Sequence, residues 1–131
     1  MPEGVGYGPQ YTASTGLELN YIGEHVYAHS GSVGVTNVVT ALLSFTTGAE
    51  GYIIAKVAIG SKAGHGDDMS FLININGTQV YTGYEALVSM PTQQYLNILL
   101  PPGSNVEVKA KNEGSSSERL IECVLVGRIY K

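Results

Sequence analysis

Apolar and polar side chains alternate with period two along most of this chain. That is the spacing of extended backbone, in which neighbouring side chains point to opposite faces. Residues 105–111 (NVEVKAK) are the cleanest case: Val106, Val108 and Ala110 share one face, and Glu107, Lys109 and Lys111 share the other. Leu17, Leu19 and Tyr21 alternate with Glu18 and Asn20, and Phe71, Ile73 and Ile75 alternate with Ser70, Leu72 and Asn74. Over residues 37–46, Val39, Ala41, Leu43 and Phe45 share a face opposite Thr40 and Ser44; Leu96, Ile98 and Leu100 mark a further strand. Residues 51–60 (GYIIAKVAIG) and 119–130 (RLIECVLVGRIY) are apolar at nearly every position. They read as central strands covered on both faces.

Turn signals separate these strands. Asn76-Gly77 sits between FLINI and TQVYT, a two-residue hairpin signal, because both residues accept φ > 0. PPGS at 101–104 closes the strand before it, since proline offers no amide to a ladder and glycine permits the reversal. NEGSSSE at 112–118 reads as a small, polar, exposed tip, and YEALVSM at 84–90 is the one candidate for a short helix, ending before Pro91. About eight short strands with turns between them predict an all-β protein, an antiparallel β-sandwich. The absence of a Cys…Trp…Cys core favours a jelly roll over an immunoglobulin-like arrangement, with strands 37–46 and 119–130 expected to pair centrally. The domain is expected over residues 17–131. Residues 1–16 (MPEGVGYGPQYTASTG) carry a single charge, Glu3. They read either as a loose terminus or as an arm laid on a neighbouring subunit through Tyr7 and Tyr11.

Composition narrows the class further. At 131 residues there is one domain, and about two-thirds of the chain's surface can be buried without disulfides or metals. With 44% hydrophobic residues and 14% charged, the chain is too apolar for disorder; with 17 glycines it is too glycine-rich for a helical protein. A net charge of −4 argues against nucleic acid or an anionic membrane as partner. No basic and apolar leader opens the sequence, so a secretory signal is not expected. The longest apolar run is too short to cross a bilayer. A single cysteine, Cys123, precludes an intrachain disulfide.

Candidate chemistry is sparse. His65, Asp67 and Asp68 in AGHGDD could offer one nitrogen and two carboxylates to a metal, but the glycines around His65 equally fit an exposed connector, and the spacing matches no zinc or EF-hand site. His25 and His29 share a strand face but stand about 13 Å apart at ~3.3 Å per residue, too far to share one ion. Cys123 lies in an apolar run and reads as a small buried hydrophobe. No nucleophile motif or paired-carboxylate arrangement is legible, so no catalysis, metal or cofactor is expected. The chain has nine tyrosines; Tyr81, Tyr84 and Tyr95 fall near strand edges, where they could stack on sugar rings or line a seam between subunits.

One resemblance adds to this reading. FLININGTQVY, then YLNILLPPGSNVEVKAKN, a serine-rich tip and LIECVLVGRIY together resemble tailed-phage capsid decoration (cement) and fibre-type jelly-roll structural proteins. The likeness covers residues 37–131 and rests on strands and turns, with no catalytic signature. It implies a non-enzymatic homotrimer made in the host cytoplasm and bound to a major capsid protein on the outside of the virion. Candidate contacts are then Tyr7 and Tyr11 in the arm, the tip residues His65, Asp67 and Asp68, and Ser115 to Ser117. The alternative is a carbohydrate- or receptor-binding head of a phage, using Tyr84 and Tyr95.

Overall fold

The structure is a computed structural model that describes residues 17–61, 68–86 and 93–131. The arm over residues 1–16, with Tyr7 and Tyr11, and the connector residues His65 and Asp67 lie outside the described residues. Ten strands follow one another: β1 (Asn20–Ile22), β2 (His25–His29), β3 (Val33–Val35), β4 (Thr40–Thr46), β5 (Tyr52–Ser61), β6 (Asp68–Ile75), β7 (Thr78–Ala86), β8 (Gln93–Leu100), β9 (Asn105–Asn112) and β10 (Arg119–Tyr130). No helix occurs among the described residues, and Tyr84–Ala86 of the helix candidate finish β7 instead.

The strands form two antiparallel sheets. One has the order β4-β9-β6-β7; the other runs β1-β2-β10-β5-β8, with β3 also paired to β10. Past β1, each link between sequential strands changes sheet, except the β6–β7 hairpin and the break between β2 and β3. A four-stranded and a six-stranded layer joined in this interlocking way form a jelly roll. The hairpin turn is the one the sequence signals: Ile75 pairs with Thr78, and Asn76 and Gly77 both take positive φ, 53° and 81°.

Two expectations about strand placement fail. The segment 37–46 does not pair with 119–130. β4 is an edge strand on β9, whereas β10 lies at the centre of the opposite sheet, between β2/β3 and β5. The regular face of Val39, Ala41, Leu43 and Phe45 is also interrupted. A bulge opposite Val108 and Lys109 inserts Leu42, so Leu42 and Leu43 are both buried while Ala41 and Val39 turn outward. The second failure concerns β5 and β10, which are central but covered on one face only. Ile53, Ala55, Val57 and Ile59 of β5 and Ile121, Cys123 and Leu125 of β10 fill the core. Their alternate neighbours face outward and stay exposed.

Inward side chains from both sheets close the core: Val26 and Ala28, Leu43 and Phe45, Met69, Phe71 and Ile73, Leu100, and Val106, Val108 and Ala110. At Gly127 the β10 backbone passes so close to β5 that a Cβ would lie 2.8 Å from the Ile54 carbonyl oxygen. Only glycine leaves that approach open.

Buried hydroxyls and amides tie the loops to this frame. Thr47 Oγ1 donates to the Pro101 carbonyl at 2.8 Å and accepts from the Ser104 amide at 2.9 Å, anchoring the PPGS turn. Ser30 holds the break between β2 and β3 against β10: its amide donates to the Cys123 carbonyl, and its Oγ accepts from the Cys123 amide at 2.8 Å. Asn112, buried at the end of β9, organises the serine tip. Its Oδ1 accepts from the Gly114 and Ser115 amides at 2.9 and 3.1 Å, and its Nδ2 donates to the Ser117 carbonyl at 3.0 Å. Replacing Asn112 by alanine orphans these groups, so Asn112→Ala is expected to lower stability by about 1–3 kcal/mol, read as a lower urea midpoint with the sheets intact by circular dichroism.

Candidate functional site

The two outer faces of the sandwich differ in chemistry. On the four-stranded sheet, Ser44, Glu107 and Asn74 lie side by side in register, and Lys109 and Lys111 continue the row along β9. Lys109 pairs with Glu107 at 3.5 Å, Lys111 with Glu113 at 3.5 Å, and Ser70 donates to Glu113 at 2.8 Å. This face is made for water.

The outer face of the six-stranded sheet is not. Tyr52 and Ile54 of β5, Leu99 of β8, and Leu120, Val124, Val126 and Tyr130 of β10 are exposed there, with Ile22 at the β1 edge. Register makes them one patch: Ile54 stands between Leu99 and Arg128, Val126 between Tyr27 and Lys56, and Tyr52 opposite Tyr130. The Tyr52 and Tyr130 rings stack with centroids 5.6 Å apart, and Tyr27 tilts against His29 at 5.2 Å. The described charges there are Lys56 near the middle, the Arg128–Glu24 pair at 3.0 Å, Glu118 over Gly34, and Glu122, which accepts from Ser32 at 3.1 Å. Soluble proteins seldom leave an apolar surface of this extent uncovered unless something binds it.

A second concavity lies at one end of the sandwich. This cleft of about 470 Å³ is lined by Tyr21, Gly23, Gly48, Glu50, Ile53, Ile129 and Lys131. Lys131 and Glu50 approach to 3.7 Å at its mouth, and the Tyr21 hydroxyl accepts from the Gly48 amide at 3.0 Å. Both charged side chains are largely exposed, so the cleft holds no desolvated group.

The expected contact residues are scattered. Asp68 opens β6, half-buried, and its carbonyl accepts from the Glu113 amide at 2.8 Å, which brings it beside the serine tip. Tyr84 and Tyr95 occupy backbone positions opposite Ser70 and Ala58; their side chains lie outside the described residues. β7 and β8 belong to opposite sheets, so these two tyrosines share no face. His25 and His29 hold the two ends of β2, both exposed. Among the described residues, no three His, Cys, Asp or Glu side chains gather as a metal site would require.

Sequence reasoning missed the outer patch formed by Ile54, Leu99, Val126 and their neighbours. The signal was present: both parities of 52–58 and 120–130 are apolar. It was assigned to coverage inside the domain, whereas the covering layer is not supplied by the described chain.

Comparison with known proteins gives the fold and nothing narrower. No protein-family model and no curated protein matches the chain. Among solved structures it is similar to the infectious bursal disease virus Gx strain particle protein, with a TM-score of 0.52 and 13% identity over 80% of this chain. The chain spans only 32% of the length of that viral protein. It is also similar to a Bacillus endospore appendage protein described as forming disulfide-linked pili, with a TM-score of 0.50 and 10% identity over 94% of this chain and 100% of that one.

Cys123 is the buried thiol, and it is inert. It is fully enclosed in the core, and burial pushes its thiol from the ordinary 9.0 up to about 12. Above pH 9 the unfolded chain releases this proton while the folded chain keeps it, so the contribution to stability falls as pH rises toward 12. Urea midpoints measured from pH 8 to 10.5 are expected to decline more steeply in the unaltered chain than in Cys123→Ala. The thiol is expected to resist iodoacetamide until the protein unfolds.

Proposed function

We propose that this chain is a non-enzymatic structural subunit of a virus particle. It acts as a capsid decoration, or cement, protein that assembles with copies of itself and bridges neighbouring capsomers on the outside of the shell. One observation carries the reading: one outer sheet face is apolar and the other is charged and ion-paired, which is the division expected of a subunit that works assembled. Three further features support it. The jelly-roll fold is shared with a viral particle protein. The most confined polar sites, the Thr47 and Asn112 networks, secure loops and leave no reactive group. The acidic balance of −4 keeps the subunit off packaged nucleic acid.

In this reading the shell is held by the arm with Tyr7 and Tyr11, which carries only the charge of Glu3, and by the tips at Asp68 and Ser115 to Ser117. The serine tip is already fixed by Asn112, so little ordering entropy is lost on binding. The test is sedimentation of particles purified from the organism that encodes the chain. The protein is expected to travel with intact particles, to be labelled from outside by antibody, and to lose occupancy when residues 1–16 are deleted. Recovery only at the top of the gradient, free of particles, overturns the reading.

A further inference from the structure

The apolar face leaves open what covers it. We infer that the outer face of the six-stranded sheet is covered by the same face of a second copy of this chain. The inference rests on the assembly reading above and names the partner for one of its surfaces.

Area is the first argument. The six strands of this sheet hold 41 residues, which at about 3.4 Å along a strand and 4.8 Å across it give a face of roughly 670 Å². A stable protein contact takes about 800 Å² from each partner. The face therefore suits a single interface near the small end of such contacts, with Ile54, Val124, Val126 and Leu99 as its apolar anchors and Lys56 and Arg128 set among them.

Charge is the second argument. The described charged side chains on and beside the face are Lys56 and Arg128 against Glu24, Glu118 and Glu122, a balance of −1, while the chain as a whole carries −4. Two copies meeting through this face therefore bring little net charge together. The face also offers no positive excess by which to recognise a nucleic acid, an anionic lipid surface or an acidic peptide. An apolar centre with both signs around it complements itself, as a contact between identical surfaces requires.

The third argument is what the face would do uncovered. β5 and β10 would hold isoleucine, valine and tyrosine in water on the broadest surface of the fold, a direct route to aggregation. Pairing with a copy removes that exposure and needs no other component.

The test is solution mass by light scattering over a concentration series, with one substitution on this face and one on the edge strand of the opposite sheet. Val126 is 53% exposed and Val80, on β7 of the opposite sheet, is 49% exposed. The same change to glutamate is therefore matched in burial, and neither side chain fills the core. The unaltered chain is expected at an even multiple of 13.9 kDa, and an odd one counts against same-face pairing. Val126→Glu is expected to fall to the single-chain mass with its circular dichroism retained, and Val80→Glu to keep the multiple. Ile54→Lys, 47% exposed and one strand in from the β8 edge, repeats the test with the opposite charge. A single-chain mass for the unaltered protein overturns the inference, as does an undiminished mass in both Val126→Glu and Ile54→Lys, or equal dissociation by Val80→Glu. Particle sedimentation of Val126→Glu is read separately. A monomeric unaltered chain that still travels with particles removes self-pairing and leaves the capsid role standing; an oligomer that never travels with particles does the reverse.

Discussion

Everything in the larger sheet hangs on β10. Its backbone ladder joins β2 and β3 on one side to β5 on the other, over the whole span from Arg119 to Tyr130. Its inward residues Ile121, Cys123 and Leu125 close the core from the centre of the sheet. Once those residues are fixed inward, the period of two leaves no choice for the others. Leu120, Val124 and Val126 must stand on the far side of the sheet, whatever lies there. The core and the apolar outer face are thus two consequences of one strand's register.

The sequence conveyed this fold unevenly. Strands with a wet side were plain to read. NVEVKAK became β9 with its ion pair in place, and Asn76-Gly77 became the hairpin turn, because alternation and turn chemistry are local properties. Order within the sheets was less legible. The edge position of β4 follows from pairing with a strand some sixty residues away, and the Leu42 bulge breaks the regular alternation that had made segment 37–46 look continuous. Double-sided apolar strands were the hardest case, since composition reports that both faces are dry and says nothing of what makes them so. For Ile54 and Val126 the described residues supply no covering layer, and only three-dimensional placement separates the two meanings.

The candidate site shows the same limit. Residues chosen for their chemistry, such as Asp68, Tyr84 and Tyr95, were distributed by topology to a tip and to two different sheets. The surface with the clearest physical demand on a partner is built instead from plain aliphatic side chains, none of which stands out alone. A shared jelly-roll frame at 10–13% identity does not narrow the role, because such folds serve many ends. Patch chemistry does narrow it.

The pairing of Ser30 with Cys123 joins residues ninety-three positions apart, and β9 meets β4 across some sixty. Contacts so distant along the chain require large loops to close before any enthalpy returns, and this delays folding. Until β10 docks, β2 and β5 have unsatisfied edges and the eventual outer patch is already in water. A nascent population of this protein is therefore most vulnerable to misassociation at the step that later gives it its order, so its yield should depend on temperature and expression rate more than its final stability suggests.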